Sequence, residues 1–369
     1  MELSAEDSLR INVLLANKPQ AIRIHESSMT LYGLSDDGEV QVKLNPNCRD
    51  EQYIKRVKEM LSGHVLGSPG GYPVYLQRWT RMGQMRDDNL DQLLLLGEPE
   101  AVVAVVCAPG ITDELARRAW WAMEDAENAR RMLMRDAISG GEMGPVLAEF
   151  LVDYLPFETE VEQMMVTVSL VLKPGLISEE KKQELWKRAK RKPAYYVGFL
   201  SASPDEIPEQ DPGTPRYLEL REKLADIAGS NPVAALLLRV HSPAGRAFLD
   251  TAVRVLGKPG TQEMATATLD NLAIYFGDMR GGERVDLTLG ELEEDAQAYL
   301  DTPDETLAGV LSRCPECAAE LRVMRLLSGL GYGVLRPVLR DTTAIGSLMR
   351  RKIEPVVTPL LEKIALLTP

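Results

Sequence analysis

The stretch Glu162-Gln-Met-Met-Val-Thr-Val-Ser-Leu-Val-Leu172, then Lys173-Pro174-Gly175, then a charged run through Trp186, decides the fold. An apolar segment that stops at Pro-Gly and resumes as an amphipathic one reads as two helices joined by a turn. Proline lacks the N–H that a helix interior needs, and glycine supplies the break. Two other stretches share the pattern. Glu98-Pro-Glu-Ala-Val-Val-Ala-Val-Val106 leads into Pro109-Gly110 and a helix through Trp120, and Asn231-Pro-Val-Ala-Ala-Leu-Leu-Leu238 leads into Pro243 and a helix through Leu249. The prolines are spaced 174 − 109 = 65 and 243 − 174 = 69 residues apart. A hairpin of this kind cannot bury its apolar face alone. The pattern therefore predicts an array of helical hairpins, either a HEAT-like repeat or an irregular bundle.

Toward the N-terminus the period changes. Ser4 with Asp7 three residues on predicts an N-cap and a short helix to about Asn17, with Leu9, Val13 and Leu14 apolar. Ala21-Ile-Arg-Ile-His-Glu26 and the set Val40, Val42, Leu44 alternate, the mark of half-buried strands, with turn chemistry at Ser35-Asp-Asp-Gly38 between them. A hairpin of two or three strands is expected over about 20–46, and a further strand at 72–76 is the only other one the pattern admits. Asp50 to Leu61 is a helix with Tyr53, Ile54, Val57, Met60 and Leu61 on one face, and Gly67-Ser-Pro-Gly-Gly-Tyr-Pro73 is a loop. From Asp87 onward the three-four stripe predicts helices and no sheet. Ser203 to Arg216 holds four prolines and reads as a linker. The expected fold is thus mainly α: a small N-terminal α+β hairpin domain (1–86, including its Gly/Pro-rich connecting loop), a helical domain (87–202), a linker (203–216) and a C-terminal helical domain (217–369).

Composition narrows the function classes. Of 369 residues, 42 are Lys or Arg and 55 are Asp or Glu, giving a net charge of −13. That balance argues against a dedicated nucleic-acid surface, which would stand out as a basic domain. Four cysteines are too few for a disulfide scaffold. Aromatics make up only 5%, so Leu, Val, Ala and Met must build the core, as suits helix-on-helix packing. The acidic opening Met-Glu-Leu-Ser-Ala-Glu-Asp lacks the basic and apolar regions of a secretory signal, and the most apolar region, Leu93 to Ile111, is broken by Glu98, Pro99, Glu100 and Pro109. A cytoplasmic chain without membrane insertion is expected.

Three places carry side chains suited to chemistry or binding. Cys314-Pro-Glu-Cys317 can close a small disulfide, and Pro315 fits the first turn of a helix starting there, whose N-terminus would acidify the first thiol. Exposure separates a thiol relay from inert packing. Cys107, flanked by Val105, Val106 and Ala108, is expected to be buried. Around the Gly-Pro turn, His64, Tyr72, Arg78, Trp79 and Arg81 form a candidate binding cluster, of which His64, Arg78, Trp79 and Arg81 are expected to border one cleft between the N-terminal domain and the helical part. Arginines pair bidentately with anions, but no Lys-Ser/Thr follows the glycines, so this is no P-loop. The basic run Lys181, Lys182, Lys187, Arg188, Lys190, Arg191 and Lys192, ending at Tyr195-Tyr196, is either a solvated helix end or a docking patch, with Lys187, Arg188 and Arg191 as candidate contacts. The three histidines, His25, His64 and His241, sit at no metal-binding spacing, no Gly-x-Ser-x-Gly occurs, and no cofactor is implied. Gly329-Leu-Gly-Tyr-Gly333 follows a helical pattern rather than a strand and reads as a helix break.

The block Ser62-Gly-His-Val-Leu-Gly-Ser-Pro-Gly-Gly-Tyr-Pro-Val-Tyr-Leu-Gln-Arg-Trp-Thr-Arg-Met-Gly83 resembles the sulfur-oxidation accessory proteins of the DsrS family, from the dissimilatory sulfite reductase gene cluster of sulfur-oxidising bacteria. The resemblance continues through Gly97-Glu-Pro-Glu-Ala-Val-Val103, Arg117-Arg-Ala-Trp-Trp-Ala-Met-Glu-Asp-Ala-Glu-Asn-Ala-Arg-Arg-Met-Leu133 and Lys192-Pro-Ala-Tyr-Tyr-Val-Gly-Phe-Leu200. It implies a soluble cytoplasmic protein tied to the oxidation of stored sulfur, with other proteins of that pathway as partners. It carries over no active site. The leading expectation is a non-enzymatic accessory or regulatory protein acting through protein–protein interaction. The alternatives are a thiol-based sulfur or redox relay through Cys314 and Cys317, and a nucleic-acid-binding regulator.

Overall fold

The structure, a computed structural model, describes residues 3–67, 90–209, 215–280, 283, 285–340 and 344–368. Its only strands among these are the three of an N-terminal meander, and twenty α-helices make up most of the remainder. The chain divides into two compact units, Met1–Tyr154 and Leu155–Pro369. The divide falls inside the segment read as one helical domain over 87–202.

In the first unit, α1 (Ala5–Ala16) precedes β1 (Ala21–His25), β2 (Thr30–Ser35) and β3 (Gly38–Lys43), and α2 (Asp50–Leu66) follows. The sheet is antiparallel in the order β1-β2-β3, with Ala21 opposite Leu34 and Leu31 opposite Val42. The tight turn falls at Asp36-Asp37, and Gly38 takes a positive φ of 122° there. Ile11, Leu14 and Leu15 of α1, Ile22, Leu31 and Val42 of the sheet, and Tyr53, Val57 and Leu61 of α2 close one core.

Ser4 caps α1 as its position predicts, accepting from the Asp7 N–H at 3.2 Å. The Asp7 carboxylate does not turn back to complete a capping box. It is fully buried and accepts from the Asn45 N–H at 2.8 Å and from the Tyr53 hydroxyl. A buried carboxylate needs donors, and the Tyr53 bond also joins α1 to α2.

From Leu90 on the first unit is helical: α3 (Leu90–Leu93), α4 (Pro99–Cys107), α5 (Asp113–Ala122), α6 (Ala126–Leu133), α7 (Asp136–Ser139) and α8 (Met143–Tyr154). Much of the Arg117–Leu133 block is occupied with packing. Trp120 is buried edge-on to Phe150 at 4.8 Å, and Trp121 lies under the Arg23 guanidinium at 4.6 Å.

The second unit holds α9 (Val161–Val171), α10 (Glu179–Ala189), α11 (Ala194–Ala202), α12 (Pro215–Ala228), α13 (Pro232–His241), α14 (Pro243–Gly257) and α15 (Gln262–Tyr275). It continues with α16 (Leu289–Asp301), α17 (Glu305–Arg313), α18 (Ala318–Leu327), α19 (Tyr332–Leu339) and α20 (Gly346–Ile364). Leu224, Leu237, Phe248, Leu272, Leu321 and Leu360 belong to a large core in this unit.

The mainly α fold with a small N-terminal sheet is as read from the sequence, and the helices pack in the manner of the irregular bundle. Pro109 and Pro174 lie in turns between helices, whereas Pro243 is the first residue of α14. α4 packs on α5 and α13 on α14, but α9 finds its main partner in α11 rather than in α10. That crossing is close because residue 198 is glycine: a Cβ there would lie 2.6 Å from the Val168 Cβ.

Candidate functional site

Cys314 and Cys317 are joined as a disulfide. Cys314 caps the C-terminus of α17, and Pro315–Cys317 form a 3-10 turn that leads into α18. The proline sits in the opening turn, where its missing N–H costs nothing. Both sulfurs belong to residues with 0% exposure, so the access that a relay requires is not offered. Instead a charged clasp lies over the bridge. The Arg216 Nη2 of α12 donates to the Cys317 Sγ at 3.2 Å, and the same side chain forks onto Glu320 through Nε at 3.2 Å and Nη2 at 3.0 Å. The Glu320 hydrogen bond leads the effects that raise the Arg216 pKa. Lys223, about two helical turns further along α12, pairs with Glu316 and holds its carboxyl below the ordinary range.

His241 at the end of α13 is 3% exposed, and its Nε2 lies 3.6 Å from Glu320, beyond hydrogen-bonding distance. Burial lowers its pKa foremost, against the pull of Glu320 and with Arg216 and Arg246 adding to the lowering. The imidazole is therefore neutral at pH 7. Arg216, Glu320 and His241 were invisible as partners of the cysteines in the sequence, because they come from three helices up to 104 residues apart.

The exposed thiol is a different one. Cys107, expected to be buried, is exposed. Its neighbours Val105 and Val106 do face the core at 0% and 1% exposure, but Cys107 ends α4 on the outer side of the last turn. The Arg131 Nη1 lies 3.3 Å from its sulfur, and attraction to that sulfur leads the causes that raise the Arg131 pKa.

Of the cluster expected around the Gly-Pro turn, Tyr72, Arg78, Trp79 and Arg81 lie outside the described residues. His64 belongs not to a loop but to the last turn of α2, where it is exposed. The helix runs five residues past Leu61 because its stop signal is Gly67, left-handed at φ 65°.

The basic run has two fates. Lys182 pairs with Glu206 at 3.0 Å, Arg188 with Glu184, and Lys192 donates to the carbonyls of Leu155 and Pro156 at 3.4 and 3.3 Å. Lys187, Lys190 and Arg191 are exposed and have no ion-pair partner among the described residues. Tyr195 and Tyr196, expected as stacking platforms, are 1% and 3% exposed, since α11 is buried on nearly every side. Trp186 packs edge-on to Tyr196 and Phe199 at 4.8 and 5.0 Å.

A pocket of about 390 Å³ opens beside this run, lined by Lys190, Pro193, Tyr196, Glu209, Arg254 and Lys258 among others. A larger pocket of about 580 Å³, lined by Asp270, Glu283, Asp286 and Tyr332 among others, is acidic, and Asp286 there is engaged by Arg336. Among the described residues no group of three or more His, Cys, Asp or Glu is placed to hold a metal ion, and no helix is long and apolar enough to cross a membrane. No family model, curated protein or solved structure matches this chain.

Proposed function

We propose that this is a non-enzymatic, cytoplasmic accessory or regulatory protein of dissimilatory sulfite reductase-dependent sulfur oxidation that acts by docking an acidic surface of another protein of that pathway. The pathway rests on the resemblance of the blocks between Ser62 and Leu200. The mode of action rests on one observation: in a chain of net charge −13, the end of α10 presents Lys187, Lys190 and Arg191 exposed and unpaired among the described residues. Cations at a helix C-terminus gain only a little from its dipole, so leaving three unneutralised in an acidic protein favours a role for them outside the chain. Complementary charge of this kind raises association rates and selects partners. The nucleic-acid alternative loses its stacking residues to the core at Tyr195 and Tyr196, and the relay loses access to its sulfurs at Cys314 and Cys317.

Affinity capture from cells oxidising sulfur tests the proposal. The wild-type chain should retain a protein of the pathway at low salt and release it as ionic strength rises. Lys187→Glu with Arg191→Glu should abolish that retention while leaving the thermal unfolding temperature unchanged. Equal retention by the double variant would refute the docking face.

A further inference from the structure

We infer that the pocket between the α10–α11 junction and α14 is a binding site for a tetrahedral dianion of the phosphate or sulfate class. Among the described residues three cations and one carboxylate line it: Lys190, Arg254, Lys258 and Glu209, a formal 3 − 1 = +2. The Lys190 and Lys258 ammonium groups are exposed and have no ion-pair partner among the described residues.

Arg254 is the positioned member. Its Nη1 donates to the Tyr196 hydroxyl at 3.2 Å and to Glu209 at 3.1 Å, and its guanidinium carbon sits 5.2 Å from the Tyr196 ring centre. Tyr196 itself is 3% exposed and wedged against Trp186, so the guanidinium is braced by a group that cannot swing away. Burial alone would lower the Arg254 pKa, yet the bonds to Tyr196 and Glu209 outweigh it and the charge is held.

The charge of the lining selects the class. A monoanion leaves one positive charge uncompensated, whereas a dianion neutralises the +2 lining. A tetrahedral oxyanion also offers enough acceptors to take a guanidinium N–H and two ammonium groups approaching from different elements. The pocket volume lies in the range of small-molecule sites. Among the described residues Glu209 is the only carboxylate in the lining, so ion pairing there accounts for only one of the three cations.

This site is separable from the docking face. Lys190 belongs to both, but Lys258 and Arg254 of the pocket are on or just past α14, and Lys187 and Arg191 of the docking face are not among the residues of its lining.

The test is calorimetric titration of the full chain with inorganic phosphate, with sulfate and with acetate, at equal ionic strength. Saturable binding of phosphate, sulfate or both is expected, with acetate weaker. Lys258→Ala and Lys190→Ala should each weaken the dianion by about ten-fold, the loss of one charge-assisted contact. Unfolding temperatures measured without anion should match the wild type, because both lysines are exposed. Lys187→Glu with Arg191→Glu should still bind the dianion, whatever happens to partner capture. Absence of saturable dianion binding, acetate binding as tightly, or Lys258→Ala and Lys190→Ala both titrating like the wild type would each overturn the inference.

Discussion

Reduction of the Cys314–Cys317 bridge should cost the second unit about 2 kcal/mol. The bridge closes a loop of four residues, Cys314 to Cys317. Cross-linking lowers the entropy of the unfolded chain by about 2.1 + 1.5R ln n cal/mol/K, which for n of four is about 6.2, or about 1.9 kcal/mol at 25 °C. Little else changes on reduction. The cysteines stay in the core beside Leu321, and Arg216 keeps its two bonds to Glu320. Because both sulfurs are buried, the protein should be reduced while unfolded in urea and refolded under reductant. Hydrogen exchange read by mass then separates the two units. The slowest amides of α18 should exchange about 25-fold faster in the reduced protein, the factor that about 1.9 kcal/mol represents when global opening controls them. Those of α8, in the first unit, should be unchanged. Equal protection of α18 in both redox states would refute the loop-entropy argument. Loss of all protection would mean that the bridge, rather than the leucine core around it, holds the unit together.

Iodoacetamide at neutral pH should label Cys107 first and leave Cys314 and Cys317 untouched until the chain is unfolded and reduced, as read by mass at each cysteine. Gly198→Ala should destabilise the protein by about 1–3 kcal/mol in urea unfolding, because its Cβ would meet Val168 at 2.6 Å where α9 crosses α11. His241 sets a pH dependence. Its folded pKa lies below the ordinary value of about 6.5, so the unfolded chain binds the proton more readily. Its penalty is absent above that value, grows as pH falls through it, and levels off below the folded pKa. His241→Gln should therefore lose less stability between pH 7.5 and pH 5.5 than the wild type does in thermal unfolding, and an identical loss would show that other groups carry the effect.

What the sequence revealed and what it hid follow one physical division. Patterns local in the chain were legible. Period-two runs at Ala21–Glu26 and Val40–Leu44 became β1 and β3, Ser4 capped α1, and the apolar run into Pro174 became α9, because each depends on neighbours two to four residues away. Side-chain destinations set by tertiary contacts were not legible. Asp7 looked like a capping residue and became the acceptor that joins α1 to Tyr53. Tyr195 and Tyr196 followed a basic run and looked like a binding platform, yet α11 is apolar all round, which is the mark of a helix enclosed by others. Cys107 lay in an apolar run, but the last residue of a helix can leave the core face that its neighbours occupy. The same division governs the sites. The Cys-x-x-Cys spacing named a pair but not its surroundings, which Arg216, Glu320 and His241 supply from distant helices. The run Lys187–Lys192 named a patch but not the pocket beside it. That pocket exists because α14 brings Arg254 and Lys258 to the α10–α11 junction, and no pattern read along the chain measures that approach. A charge patch becomes a site only when a second element braces it, and here the brace is the Arg254–Tyr196 contact rather than any of the lysines the sequence displayed.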